Sequence, residues 1–136
     1  MKSLVLTTVL LITLQLYSQK DVYCNGLEKA NVKAFVVLNG HEQKSQISKN
    51  QLNQFDLYID LSDTTFKVLG FIAVYDCHSG SFYDINEKKY FGNRIKATDL
   101  FIKGVRVGDG LILDCINVVK NGNRYLITGK PFTIVN

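Results

Sequence analysis

Histidine is scarce in this chain: His41 and His78 are the only two. With Cys24, Cys77 and Cys115 they supply enough ligand types for zinc by count. The spacing argues against it, because structural zinc sites pair ligands about two to four residues apart so that one loop wraps the ion. Cys77 and His78 are adjacent, and adjacent residues of a strand point apart. No partner that would orient a Cys-His nucleophile pair can be located either. The three cysteines are too few for a disulfide-dense scaffold, and an odd count leaves one outside any intrachain pairing. A bond from Cys77 to one of the other two is a reasonable expectation, stabilising rather than functional. Cys115, inside the apolar run 111–119, reads equally well as a small buried residue.

Clustered charge is also lacking. The formal net charge is only +4, and Lys88-Lys89 is the one adjacent basic pair. A nucleic-acid footprint needs a basic stripe or a recognisable motif, so these lysines read as a solvated surface and no nucleic-acid partner is expected. Asp76, Asp84, Asp109 and Asp114 are scattered, and nothing fixes two of them at a catalytic separation. The glycines of Gly104 to Gly110 lack the Lys-Ser/Thr and following helix of a phosphate loop and read as turn residues. Tyr58, Tyr75, Tyr83 and Tyr90 could stack on sugars, but roles in core and sheet packing are the better reading. No catalytic, cofactor-binding or metal residue is assigned, and the chain is not expected to be an enzyme.

The first residues have a composition of their own. Met1-Lys2 is a short positive start, Leu4 to Leu16 is almost wholly apolar, and Leu16-Tyr17-Ser18 places a small residue before Gln19. This is the pattern of a secretory signal peptide. The apolar run, about thirteen residues, is shorter than the ~20 that a spanning helix needs. No cysteine follows at the cleavage point, so lipid attachment there is not expected. Residues 1–18 are therefore expected to be removed, with 19–136 forming a single β domain that is exported to the periplasm or outside the cell.

Helical periodicity is missing from that domain, and a period of two takes its place. Phe55, Leu57, Ile59 and Leu61 alternate with Asp56 and Asp60, as a half-buried strand requires. Val32 to Leu38 is a second strand candidate. Phe66 to Tyr75 is a third, apolar on both faces and hence central, with Gly70 marking a bulge or close approach. Ser81 to Ile85 reads as its return partner, after a polar turn at His78-Ser-Gly80. Leu111 to Val119 and Arg124 to Ile127 flank Asn121-Gly122, the strongest hairpin signal in the chain. Phe132 to Val135 follows the lone proline, Pro131. Asn39-Gly40 and Gly108-Asp-Gly110 mark further turns, and His41 to Asn53 reads as a polar surface loop. One short helix is expected over residues 97–103, entered through Thr98 and stopped by Gly104. Strand-like runs separated by turn residues point to an all-β, antiparallel sandwich, immunoglobulin-like in architecture.

The segment Phe66-Lys-Val-Leu-Gly-Phe71, then Asn93, Val107-Gly-Asp109 before the strand 111–116, Asn121-Gly122 with Arg124, and Phe132-Thr-Ile134 resemble a known arrangement. Over about residues 55–136 this order is similar to the C-terminal β domain of the GldM family, periplasmic proteins of gliding motility and type IX secretion. The family's membrane helix and helical periplasmic domain have no counterpart here, so a motor-shaft role does not carry over. The resemblance implies a protein-binding or scaffolding β module outside the inner membrane, with an envelope or secreted protein as partner and no catalytic residues to transfer.

Overall fold

The computed structural model describes residues 21–77 and 84–136. The signal-peptide expectation and the turn at His78-Ser-Gly80 lie outside them, as does Tyr83. In chain order the elements are β1 (Glu28–Lys29), β2 (Ala34–Leu38), β3 (His41–Gln43), β4 (Gln46–Ser48), α1 (Lys49–Leu52), β5 (Leu57–Leu61), β6 (Lys67–Cys77), β7 (Asp84–Phe91), β8 (Arg94–Ile95), α2 (Leu100–Gly104), β9 (Gly110–Lys120), β10 (Asn123–Ile127) and β11 (Lys130–Val135).

They form two sheets. The larger is mixed and curled: β7, β6, β9, β10 and β1 lie side by side, while β11 and then β4 continue from the far part of β9. The smaller is antiparallel, in the order β3-β2-β5-β8. The expected all-β sandwich-like fold is what the chain adopts. Two edge pairings are parallel rather than antiparallel, β1 with β10 and β4 with β11.

Period two explains the core. Ala34, Val36 and Leu38 of β2 and Leu57 and Ile59 of β5 point inward, meeting Phe71 and Ala73 of β6, Leu111, Leu113, Ile116 and Val118 of β9, and Ile134 of β11. Each fully buried Val, Leu, Ile or Phe side chain among them contributes roughly 1.5–3 kcal/mol relative to exposure. The alternation expected from Phe55 onward holds from Leu57. Phe55 itself is exposed, because the chain is still leaving α1 through hydrogen bonds from Gln54 N and Phe55 N to Gln51 O.

Both Asn-Gly pairs form two-residue hairpin turns. Asn39 and Gly40 have φ of 51° and 74°, and Asn121 and Gly122 have 51° and 77°, the left-handed pair that a type I′ turn requires. Gly70 marks a bulge and a close approach together. The β6–β9 register shifts on either side of it, and a Cβ there would collide with the Tyr90 carbonyl oxygen and lie 2.8 Å from Val22 Cγ2.

Several expected boundaries move. His41 to Asn53 is not a loop but β3, β4 and α1; its polarity misleads because these are short edge elements whose buried side chains are Ile47 and Leu52. The helix expected over 97–103 runs from Leu100 to Gly104, and its cap is Asp99 rather than Thr98. The Asp99 carboxylate accepts hydrogen bonds from Phe101 N (2.9 Å), Tyr90 Oη (3.0 Å) and Lys88 Nζ (2.9 Å). Those tertiary donors select the later cap. At the other end of α2, Lys49 Nζ donates to the carbonyls of Ile102 and Lys103, where a cation complements the helix dipole. The return strand of β6 extends to Phe91 and so includes Lys88-Lys89.

The disulfide joins Cys24 to Cys115, not Cys77 to either. The segment Asp21 to Cys24 runs across the outer face of the large sheet and is fixed at every residue. Asp21 pairs with Lys89 of β7 at 3.1 Å. Val22 is buried over Gly70 of β6. Tyr23 N donates to Asn117 Oδ1 (3.1 Å), and Asn117 Nδ2 donates to Tyr23 O (2.9 Å). Asn117 is fully buried, and its amide pairs with this crossing backbone as a neighbouring strand would. Cys24 then meets Cys115, whose positive φ of 49° and hydrogen bond from its N to Asp114 Oδ1 mark a bulge in β9. Gly129 is seated against that bulge; a Cβ on it would fall 2.9 Å from Asp114 Cα.

Candidate interaction surface

Among the described residues, the register sets Asp84 opposite Cys77 and Asp76 opposite Gly110, next to Asp109, at one end of β6; the other groups singled out in the sequence lie elsewhere. His41 is exposed on β3, Asp114 belongs to the β9 bulge, and Asp109 itself is buried in its turn, accepting a hydrogen bond from Arg106 N at 2.9 Å. Among the described residues, no group of three or more His, Cys, Asp and Glu side chains is arranged to hold a metal ion. No helix among them is long and apolar enough to cross a membrane.

Of the tyrosines considered as a platform, Tyr90 is buried and stacked on Phe71 (centroids 5.3 Å apart) and Tyr75 packs on Phe101 (4.8 Å). Burial, then the hydrogen bond to Asp99, push the Tyr90 hydroxyl pKa far above its usual value, so it stays a donor. Tyr58 alone of the three described is exposed, on the outer face of β5.

Tyr58 has a companion that the sequence did not single out. Phe91, the last residue of β7, is 64% exposed. The chain turns at Gly92, whose φ is 84° and whose N donates to Leu69 O, and enters β8. Asn93 and Ile59 then exchange hydrogen bonds: Ile59 N donates to Asn93 O at 2.8 Å, and Asn93 Nδ2 donates to Ile59 O at 3.3 Å. That pairing sets Arg94 opposite Tyr58. Tyr58, Phe91, Asn93, Arg94 and Lys96 thus line an open groove of about 380 Å³. Arg94 lies 3.7 Å from Asp56, whose carboxylate also accepts from Ala97 N.

The groove continues into an open strand edge. Across its eight residues β7 pairs with β6 alone, leaving its other side without a strand among the described residues. Such an edge presents backbone donors and acceptors to an incoming strand. Exposed Asn86, Glu87, Lys88 and Lys89 keep it hydrophilic, a common protection against indiscriminate pairing. Lys88 and Lys89 are each held by a carboxylate of this chain, Asp99 and Asp21, so the edge offers backbone more than net charge.

No family model, curated protein or solved structure matches the chain.

Proposed function

We propose that this chain is an exported, non-catalytic interaction or scaffolding module. It receives an extended segment of an envelope or secreted protein along the β7 edge and seats a side chain of that segment beside Tyr58 and Phe91. The observation that carries this reading is the continuity of the eight-residue open edge with a groove whose rim holds a largely exposed phenylalanine. Strand addition of this kind takes affinity from main-chain hydrogen bonds and specificity from side-chain pockets. A disulfide linking residues 91 positions apart supports export, since such bonds persist in oxidising compartments. The signal-peptide pattern of residues 1–18 supports it independently. Association with gliding or type IX secretion machinery rests on the resemblance of residues 55–136 to the GldM β domain.

The test is retention of envelope proteins on immobilised protein, comparing the native chain with Phe91→Ala and Tyr58→Ala. A defined protein retained by the native chain, and retained at least about 10-fold less by Phe91→Ala, is the expected result for an aromatic anchor. Equal retention by the variants, or no protein retained, refutes the reading. The pairing of two exposed aromatics with Asn93 and Arg94 favours a second reading, a carbohydrate or surface-polymer binder. Binding on a polysaccharide array that disappears with Phe91→Ala would favour that one.

A further inference from the structure

At the opposite edge of the large sheet, Lys130 joins two lysines that lie four residues apart near the start of the domain. Lys29 of β1, Lys33 of the β1–β2 connection and Lys130 of β11 line one groove of about 280 Å³. Its floor is apolar, with Val32, Leu126 and Ile127 among the lining residues, and no carboxylate lines it. The floor backbone is already paired at one point, where Ala30 N donates to Leu126 O at 2.9 Å. Side chains therefore dominate what the groove can offer.

These cations differ from others on the surface. Lys88, Lys89, Lys120 and Arg94 each have a carboxylate within 4 Å. Lys29 and Lys33 have none among the described residues, and the Lys130 ammonium instead lies over the Phe35 ring, 5.7 Å from its centroid. Three like charges lining one groove repel one another, and an anion seated among them would relieve that repulsion. A bare phosphate would leave the apolar floor unused. The outer side of β1 is also without a strand partner among the described residues, so an extended chain has room to run past all three lysines.

We propose that this groove binds an acidic peptide segment, with carboxylates on Lys29, Lys33 and Lys130 and an apolar side chain between them on the Val32–Leu126 floor. β1 and β7 are opposite edges of the sheet, so this site and the β7 surface can succeed or fail separately.

Fluorescence anisotropy of a labelled Glu-Leu-Glu-Leu-Glu peptide, titrated with purified protein, tests it. Binding should weaken from low salt to about 200 mM NaCl, as exposed charge pairs do. Each single Lys→Gln change at 29, 33 or 130 should weaken binding about 2–5-fold, as expected of exposed ion pairs, and the triple variant about 10-fold or more. Replacing the leucines of the peptide by glycine should also weaken it, and Lys44→Gln, at a lysine outside the groove, should leave it unchanged. The proposal is overturned if the triple variant binds as the native protein does, or if Lys44→Gln costs as much. It is overturned equally if heparin shows this lysine dependence while the peptide does not bind, which would assign the groove to anionic polysaccharide.

Discussion

Breaking the Cys24–Cys115 bond is the perturbation whose size follows most directly from the fold. The two residues are 91 positions apart, so in the unfolded chain the bond closes most of the described domain into one loop. The chain-entropy account puts the stabilisation from a loop of that length at about 4.6 kcal/mol at 25 °C, and measured values for native disulfides are usually about 2–4 kcal/mol. The folded state loses little by comparison. Val22 remains buried over Gly70, and Asn117 still holds both backbone groups of Tyr23. Cys24→Ser is the appropriate variant, because Cys24 is exposed while Cys115 stays behind as a small buried thiol. Urea unfolding followed by far-ultraviolet circular dichroism should show a loss of about 2–4 kcal/mol and a Tm lower by on the order of 10 °C. The slope of the transition should rise slightly, since an uncrosslinked unfolded chain exposes more surface. Coincident curves for the native protein and Cys24→Ser would refute the reasoning. So would more than one reactive thiol in unfolded, unreduced protein, since Cys77 alone stands outside the bond.

Three other perturbations test the same framework. Asn117→Leu leaves Tyr23 N–H, Tyr23 C=O and Cys115 C=O without their amide partner; it should cost about 1–3 kcal/mol in urea unfolding and speed hydrogen exchange at Tyr23. Gly70→Ala drives a methyl into the Tyr90 carbonyl and Val22, both fixed from other directions, and should destabilise by about 1–3 kcal/mol; a melting temperature equal to native would contradict the close approach. For Asp99, burial raises the carboxyl pKa, but hydrogen bonds from Lys88, Tyr90 and Phe101 N together outweigh it and hold the pKa below the usual carboxylate value. A lowered folded-state pKa gives stability that is present above the unfolded value, near 3.8, and is lost as pH falls through the folded one. Asp99→Asn, which keeps a good cap, should therefore be less stable than native by about 1 kcal/mol at pH 7, with the gap closing as pH falls below about 4; a gap independent of pH would refute the ion-pair contribution.

What was legible in the sequence was whatever depends on near neighbours. Asn39-Gly40 and Asn121-Gly122 announce their turns because positive φ at two successive residues is a local requirement. The alternation from Leu57 to Leu61 announces a strand because its two faces meet different solvents. Gly70 could be recognised as a constrained position, though not what approaches it. The misread parts depend on distant partners. Asp99 outcompetes Thr98 as a cap because Lys88 and Tyr90 converge on it, and Cys24 finds Cys115 because a bulge in β9 turns that residue toward the crossing segment. The short edge elements from His41 to Leu52 bury too few side chains to show a period. Nothing near Phe91 in the sequence marks it as exposed; the turn at Gly92 leaves it beside Tyr58. Lys130 is remote in sequence from Lys29 and Lys33, and only the packing of β1 beside β10, with β11 following, brings it to them.

The position of β9 in the order of synthesis has a consequence for how the chain is made. β9 pairs with β6, β10 and β11, and the last two carry β1 and β4 in turn. Until β9 emerges, the apolar β6 can pair only with β7, and neither β1 nor β4 has the strand it will lie against. The large sheet therefore cannot assemble progressively from its beginning. Its assembly waits for one late element, and pairing between such distant segments is intrinsically slow. Meanwhile the growing chain carries the eleven-residue β6 with the edge that β9 will cover still unpaired, an edge open to other strands. The β9–β10 hairpin, closed by a two-residue turn, is the most local pairing in the large sheet, so the late element can form quickly once it emerges, and its pairing with β6 then covers the waiting strand.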